Sequence, residues 1–444
     1  MILLTIIAFI FILAFSITIH EFGHFIIAKL VGIPVEKFSL GFGPPIIRKQ
    51  IGETDFRIAY FPLGGYVKFT GDDEGEVIKP LLPDAHAQLP EILPLKTSPV
   101  STQPGFYDVA IHKRIAVIFS GPLFNIASAF LLFIFIFIVF GVMINPYIKI
   151  STPPDSYAAR QGFMTGDSIV TVNGQSVDSW DKFLDLLAIK STMNPAITVI
   201  RGNKEINLPI TCPIESLDFQ PLIPPVFGFV RFNGPAYKMG MKTGDRVISI
   251  DNREIKTWDE MVDIIRRSRG KSLILEWIHR GESRKTTIVP SFTYDPITKD
   301  TIGQIGVMMP LKRQYIPVSK CITMSFRRGI DFTWFTLKTL YQLIIGKISR
   351  KAMGGPIAIA KLSGESASWG IDNLLGLLAI ISINLGLVNL FPLPAFDGGQ
   401  ILIALFEGVR RKRLSRKTRL VLQQIGYALI LLLIIYVTYN DITR

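Results

Sequence analysis

Long apolar runs alternate with ordinary polar stretches along this 444-residue chain. About twenty consecutive apolar residues are needed for a helix to cross the ~30 Å hydrocarbon layer of a bilayer. The sequence therefore predicts a multi-span α-helical membrane protein with four spans. The first run lacks the basic n-region and the cleavage site of a signal peptide, so we also interpret it as a span. The predicted spans cover residues 1–30, 113–143, 372–393 and 420–438.

Two segments between the first two spans have the composition of β-strands interrupted by turn residues. VEKFSLGFGPPIIRK (35–49) and FRIAYFPLGGYVKF (56–69) predict membrane-associated β-hairpins with turns at GFGPP and PLGG. Ordinary surface hairpins are the alternative. Residues 73–105, which are rich in proline and acidic at their start, predict an inserted flexible loop.

A repeat lies between the second and third spans. AARQGFMTGDSIVTVNG (158–174) aligns with AYKMGMKTGDRVISIDN (236–252) at a fixed offset of 78 residues. Each copy combines short strands with one helix, which predicts two copies of a small α+β, β-rich domain. The pattern resembles the circularly permuted PDZ domain of bacterial periplasmic proteases, which implies that a peptide or protein ligand binds at a sheet edge. Two spacer domains without a ligand are the alternative.

A stretch before the third span, SFRRGIDFTWFTLKTLYQLIIGKIS (325–349), has apolar residues at helical spacing. It predicts an amphipathic helix at the outer membrane face. A packed helix that links the repeats to the membrane core is the alternative, and both descriptions can hold. The expected domains are the N-terminal membrane core, the first PDZ domain, the second PDZ domain, the linker and the C-terminal membrane core, at 1–143, 144–215, 216–295, 296–371 and 372–444.

The net charge of +13 does not require a nucleic-acid partner, because basic residues cluster beside apolar segments. Cytoplasmic loops of membrane proteins carry an excess of lysine and arginine. The short loop 409–419 holds seven such residues and is therefore expected in the cytoplasm. Each predicted span takes the chain to the other side of the membrane. Segment 31–112 is therefore also expected in the cytoplasm, and the repeats and both termini are expected outside.

HEFGH (20–24) places two histidines and a glutamate inside the first apolar run. Ionisable residues within a span are costly and commonly functional. On a helix, His20 and His24 lie on one face, and this spacing suits a zinc ion with Glu21 as the general base. A hydrogen-bonded histidine and glutamate near the interface is the alternative. The pattern indicates metal-assisted hydrolysis with Zn²⁺ as the cofactor.

The third span ends in NLFPLPAFDGGQ (389–400), which offers a third ligand. Pro392 and Pro394 predict the end of the helix just before Asp397. On the predicted topology, Asp397 reaches the same depth as the histidines of the first span. We therefore expect Asp397 to complete the metal site. An interfacial turn residue is the alternative.

These motifs resemble a known family. HEFGH with N-x-x-P-x-P-x-x-D-G is similar to the two signature motifs of the site-2 protease family of intramembrane zinc metalloproteases, and the tandem repeats are similar to its bacterial regulator-of-sigma-E branch. The resemblance covers nearly the whole chain. It implies that His20, His24 and Asp397 bind zinc and that Glu21 is catalytic. It also suggests substrate or core contacts by Asn389, Gly64, Gly65, Asn384 and, within SGPLFN, Asn125.

The resemblance implies a protease of the bacterial inner membrane that cleaves spans of single-span proteins near the cytoplasmic side. An anti-sigma factor already cut outside the membrane is the expected substrate, and remnant signal peptides are a second class. The repeats are then periplasmic. A non-catalytic membrane scaffold that presents PDZ domains is the alternative, and the intact metal motif favours the protease.

Overall fold

A computed structural model describes residues 2–71, 105–188, 195–211, 217–295, 300–347 and 354–443. Nearly all of the inserted loop expected at 73–105 lies outside these residues. The chain divides into two compact units. The helical unit comprises Met1–Phe137 and Pro317–Arg444, and the repeat unit comprises Ile138–Ile316.

The helices are α1 (Ile2–Leu30), α2 (Ile111–Phe140), α3 (Tyr157–Arg160), α4 (Trp180–Ala188), α5 (Pro235–Lys238), α6 (Trp258–Ser268), α7 (Val318–Ile344), α8 (Pro356–Trp369), α9 (Ile371–Asn389), α10 (Asp397–Arg410) and α11 (Arg416–Thr443). The strands are β1 (Val35–Ile51), β2 (Thr54–Phe69), β3 (Val142–Ile144), β4 (Ile150–Ser151), β5 (Ser168–Val172), β6 (Gln175–Ser176), β7 (Ala196–Arg201), β8 (Lys204–Pro209), β9 (Gln220–Pro221), β10 (Phe229–Val230), β11 (Arg246–Ile250), β12 (Arg253–Glu254), β13 (Leu273–His279), β14 (Glu282–Ile288), β15 (Ser291–Asp295), β16 (Asp300–Gln304), β17 (Val307–Met308) and β18 (Lys312–Gln314).

Within the described chain, α1, α2, α9 and α11 are long and apolar enough to cross a membrane. The prediction of four spans is confirmed. The third span ends at Asn389 rather than near residue 393, because the chain turns at Leu390 before the two prolines. Two shorter helices, α8 and α10, flank this span and were not predicted.

The amphipathic helix α7 begins at Val318, earlier than predicted, and packs on the spans of the helical unit. Gly329 lies against the Phe130 ring of α2. Thr336 Oγ1 donates a hydrogen bond to Asn384 Oδ1 of α9 at 2.8 Å. These contacts favour the alternative of a helix packed on the membrane core.

Strands β1 and β2 pair with each other across a tight turn at residues 52–53. Leu40 has a partner on each side, Gly65 and Ile58, so residues 37–40 run through the middle of the sheet. Residues 65–69 therefore form an edge of this sheet. The GFGPP and PLGG segments are bends inside the two strands, not the turns of separate hairpins as expected.

The two repeats have the same sheet topology, with strand orders β6-β5-β7-β8 and β12-β11-β13-β14. Ile169 pairs with Val199 in the first copy, and Val247 pairs with Trp277 at the same offset in the second. Both Ile169 and Val247 are fully buried in the hydrophobic cores. Both side chains face inward from their sheets, so neither can line a surface groove for a ligand.

The repeated Gly-Asp pair forms the same turn in both copies. Asp167 accepts a hydrogen bond from the Met164 N–H and binds the guanidinium of Arg201 at 2.8 Å. Asp245 makes the corresponding backbone contact, and its second partner is His279, with 2.7 Å between Asp245 Oδ1 and His279 Nδ1. The 78-residue offset therefore extends to the ionic partner, although arginine is replaced by histidine.

The two ends of the repeat unit lie side by side. Strand β3 pairs antiparallel with β18, and Ile144 is opposite Lys312. The chain thus enters and leaves the unit through neighbouring strands.

A buried ionic cluster fixes α10 in the helical unit. Arg114, at the start of α2, donates to Glu407 Oε2 at 2.9 Å, and the two side chains are 5% and 2% exposed. Arg419 of α11 lies 3.3 Å from Glu407 Oε1. Both guanidinium groups stack on the Tyr107 ring, with 4.8 and 4.1 Å to its centroid. The cluster joins three helices at the end of α10 opposite to Asp397.

Candidate metal centre

The two histidines of HEFGH occupy one face of α1, as their spacing requires. His20 is 8% exposed. The Nε2 atoms of His20 and His24 are 3.2 Å apart, so both rings direct the same nitrogen toward one point.

Asp397 reaches this point from the first residue of α10. After α9 the chain turns sharply and folds back so tightly that a β-carbon on Gly398 or Gly399 would collide with the carbonyl groups of residues 390 and 393. Only glycine allows this approach. As a result, the Asp397 carboxylate lies 3.0 Å from His20 Nε2 and 3.6 Å from His24 Nε2.

The arrangement of these side chains fits a metal ion. Bonds of about 2.1 Å at tetrahedral angles separate the ligand atoms by roughly 3.4 Å, close to the 3.0, 3.2 and 3.6 Å observed. Asp397 Oδ2 is buried and lies 3.0 Å from His20 Nε2, yet it makes no hydrogen bond of normal geometry with the described residues. Two imidazoles and one carboxylate are a ligand set of catalytic zinc sites, which keep a further position open.

Helix α2 covers the histidines from one side. His24 Nδ1 lies 2.8 Å from the carbonyl oxygen of Val117. A carbonyl can only accept, so Nδ1 carries the proton and the Nε2 lone pair is left for a metal. Gly121 lies so close that a β-carbon there would be 2.8 Å from His20 Cε1. The sequence motif SGPLFN drew attention to Asn125, but Val117 and Gly121 were missed.

Two asparagine side chains surround the His20 ring. Asn125 Nδ2 is 3.3 Å from His20 Nδ1, and Asn125 is fully buried. Asn389 Nδ2 is 3.3 Å from His20 Nε2 and 3.4 Å from Nδ1. Asn389 therefore lies beside the ligand atoms, whereas Asn125 lies behind the ring.

Glu21 follows the first ligand and faces the edge of the β1–β2 sheet. A β-carbon on Gly65 would lie 3.1 Å from Glu21 Cγ, so glycine allows the strand to approach. The Glu21 carboxylate is also within hydrogen-bonding reach of the Val67 backbone amide. The structure thus brings the expected base next to the half-buried edge of this sheet.

The other two candidate residues lie away from the ligands. Asn384 bonds to Thr336 of α7. Gly64 has φ of 133° and packs under the Phe42 ring, which leaves no space for a side chain. Their contacts are those of packing and strand bending.

An H-E-x-x-H helix that meets a distant aspartate within a group of apolar helices defines a membrane metalloprotease. The model of peptidase family M50 matches residues 8–433, and the chain belongs to this family.

Curated relatives match over nearly their whole length. A protein named as a zinc metalloprotease in Neisseria meningitidis is 34% identical, with 99% of each chain covered. The regulators of sigma-E protease, RseP, of Salmonella typhimurium and Escherichia coli are each 31% identical, with 98% of each chain covered. Among solved structures, the PDZ domain of an SdrC-like protein from Listeria monocytogenes is 21% identical with a TM-score of 0.17, covering 19% of this chain and 84% of that one.

Proposed function

We propose that this metalloprotease binds Zn²⁺ through His20, His24 and Asp397 and cleaves transmembrane segments of single-span membrane proteins near the cytoplasmic side. The convergence of these three side chains beside Glu21 on a membrane helix carries the proposal. Relatives named as zinc metalloprotease and as regulator of sigma-E protease support it.

The side chains around the proposed zinc ligands have different roles in peptide hydrolysis. Bound zinc supplies a Lewis acid that activates water at neutral pH. Glu21 accepts the proton of the attacking water and later returns it to the leaving amine. Asn389 Nδ2, 3.3 Å from His20 Nε2, is positioned to donate a hydrogen bond to the oxygen of the scissile carbonyl group.

The strand edge at residues 65–69 provides a binding surface for the substrate backbone. A peptide bond inside a helix is shielded by its own hydrogen bonds, so the substrate must unwind before it is cut. Unwound backbone in a membrane requires new hydrogen-bond partners, and an exposed strand edge supplies them. The approach of Gly65 to Glu21 places this edge next to the base.

The side of cutting follows from the proposed orientation, with the repeats in the periplasm of a bacterial inner-membrane protein. Six of the seven basic residues in 409–419 are exposed, as expected of a cytoplasmic loop. Arg419 is the seventh, and it is buried in an ion pair with Glu407 that stabilises the fold. A topology reporter fused after Arg413 should be located in the cytoplasm, and a reporter inserted at Asn203 should be located outside it. The reverse locations would overturn the proposed orientation.

The substrate class is tested in membranes that contain either the wild-type enzyme or the Glu21→Gln variant. We expect single-span proteins whose outer domains have been clipped to accumulate with the variant, an anti-sigma factor among them, together with remnant signal peptides. A membrane proteome that is unchanged by the variant would contradict intramembrane cleavage.

We further propose that the repeats act as a size filter that excludes substrates with intact outer domains. The pairing of β3 with β18 allows a clean test, because residues 145–311 can be replaced by an Asn-Gly turn that joins Ile144 to Lys312. The shortened enzyme should cleave intact and clipped substrates at similar rates. If the shortened enzyme still does not cleave intact substrate, the repeats are not the size filter.

A further inference from the structure

The two zinc-binding histidines differ in the partner of their second ring nitrogen. A histidine that binds metal through Nε2 keeps a proton on Nδ1, and that proton needs a hydrogen-bond acceptor. For His24 the acceptor is the Val117 carbonyl oxygen at 2.8 Å. For His20 Nδ1 the side-chain partners are Asn125 Nδ2 at 3.3 Å and Asn389 Nδ2 at 3.4 Å, and both of these amide nitrogens are donors.

Asn125 has an unused acceptor of its own. The residue is fully buried, and its Oδ1 atom has no hydrogen-bond partner among the described residues. The two ends of a side-chain amide have nearly the same shape. A half-turn of this amide therefore puts Oδ1 in the position of Nδ2, about 3.3 Å from His20 Nδ1. After this exchange, the N–H of His20 Nδ1 no longer faces the donor Nδ2 of Asn125. Instead it donates a hydrogen bond to the buried Asn125 Oδ1.

We propose that Asn125 is a positioning residue, which accepts the Nδ1 proton of His20 and thereby presents Nε2 to the metal. The proposal rests on the zinc site of the proposed function. It gives each histidine one acceptor from α2, the Val117 carbonyl for His24 and the Asn125 side chain for His20.

The neighbouring groups do not replace Asn125 in this role. Asn389 lies at similar distances from both ring nitrogens of His20, on the side of the ligand atoms. The Gly121 carbonyl also accepts a hydrogen bond from the His20 ring. That oxygen is fixed to the α2 backbone, whereas the Asn125 amide can rotate to align with Nδ1, so we assign the two groups separate contacts with the ring.

The test compares zinc affinity among variants of the full-length protein in detergent, by competition with a chromophoric chelator. Asn125→Leu keeps the side-chain volume but removes the acceptor, and we expect zinc to bind about 10- to 100-fold more weakly. Asn125→Asp restores an acceptor and should bind zinc at least as tightly as the wild type. Asn384→Leu is the matched control. It removes a partly buried hydrogen bond with Thr336 that lies away from the ligands, so it should leave the zinc affinity unchanged.

The outcomes separate the two proposals. If the wild type binds no zinc, the proposed function fails. If the wild type binds zinc and Asn125→Leu binds it equally well, or if Asn125→Asp is as weak as the leucine variant, only the role of Asn125 is overturned. Nitrogen NMR of ¹⁵N-histidine-labelled, zinc-loaded wild type needs no variant: a proton on His20 Nδ1 supports the proposal, and a metal-bound Nδ1 overturns it.

Discussion

A β-carbon on Gly121 would lie 2.6 Å from Cε1 of His24, well inside van der Waals contact. Helix α2 therefore approaches the face of α1 that carries His20 and His24 more closely than any other residue type at position 121 would permit. The glycine makes room for both imidazoles between the helices.

Gly121→Ala should displace the histidine rings and lower zinc affinity by about tenfold or more, comparable to the loss of a group that orients a ligand. Gly376 in α9 is the matched control, because no described atom outside the neighbouring backbone of α9 lies within 4 Å of the β-carbon that alanine would add. Gly376→Ala should keep zinc affinity and gain up to about 1 kcal/mol from helix propensity. Equal zinc affinities for the two variants would contradict the close-packing argument.

Glu21→Gln should retain zinc and lose activity. The amide has the shape of the carboxylate but cannot accept a proton, and general base catalysis contributes about 10²- to 10⁴-fold. His24→Ala should lose both metal and activity, and Asp397→Asn should weaken both. Zinc content and cleavage of a single-span protein in detergent are measured together. Near-normal turnover by Glu21→Gln would refute its assignment as the base.

The ionic cluster at Glu407 should be essential for stability. Glu407→Gln leaves the Arg114 charge buried without its counter-ion, and breaking such a pair costs about 3–5 kcal/mol. Arg413 forms an exposed pair with Asp108, and Arg413→Gln should cost less than about 1 kcal/mol. Unfolding in mixed detergent micelles measures both. A small effect of Glu407→Gln would show that α10 is held by apolar packing alone.

The first repeat should lose stability in acid through Asp167. Burial alone would raise the pKa of Asp167, but hydrogen bonds from Arg201 and the Met164 amide outweigh it and hold the pKa below its usual range. The ionised carboxylate therefore stabilises the folded repeat above about pH 4, and this contribution disappears as the pH falls through the lowered pKa.

Arg201→Met should destabilise the first repeat by about 1–3 kcal/mol at neutral pH, and the difference from the wild type should shrink toward pH 2. Hydrogen exchange of the intact protein, resolved by peptide, measures this change. The second repeat is an internal control, because Asp245 pairs with His279 instead. A loss that is constant with pH would contradict the ionic explanation.

The sequence predicted the parts of the molecule that leave a periodic or repeated pattern. Apolar length identified the spans, and the 78-residue offset identified the two repeats. The i, i+4 spacing of His20 and His24 identified their common face, and the break after Pro394 indicated where Asp397 would emerge. These features depend on local geometry, which the order of residues determines directly.

Other features depend on contacts that no local pattern records. Val117 orients His24 through its carbonyl, a group that every residue carries. Helix α8 is rich in small and polar residues, and it is held by packing of Gly364 on Thr5 and by Asp441, which accepts hydrogen bonds from the amides of Gly355 and Ala358. The pairing of β1 with β2 depends on bends that place one segment between two others.

On the proposed zinc site, the separation of the three ligands along the chain delays activity until the last of them has been synthesised. Asp397 follows His20 and His24 by more than 370 residues. At about 5–20 residues per second, translation between them takes roughly 20 to 75 s. During that interval the nascent chain holds His20, Glu21 and His24 but lacks Asp397. On the proposed zinc site, proteolysis can begin only once Asp397, at the start of α10, has reached His20 and His24 of α1.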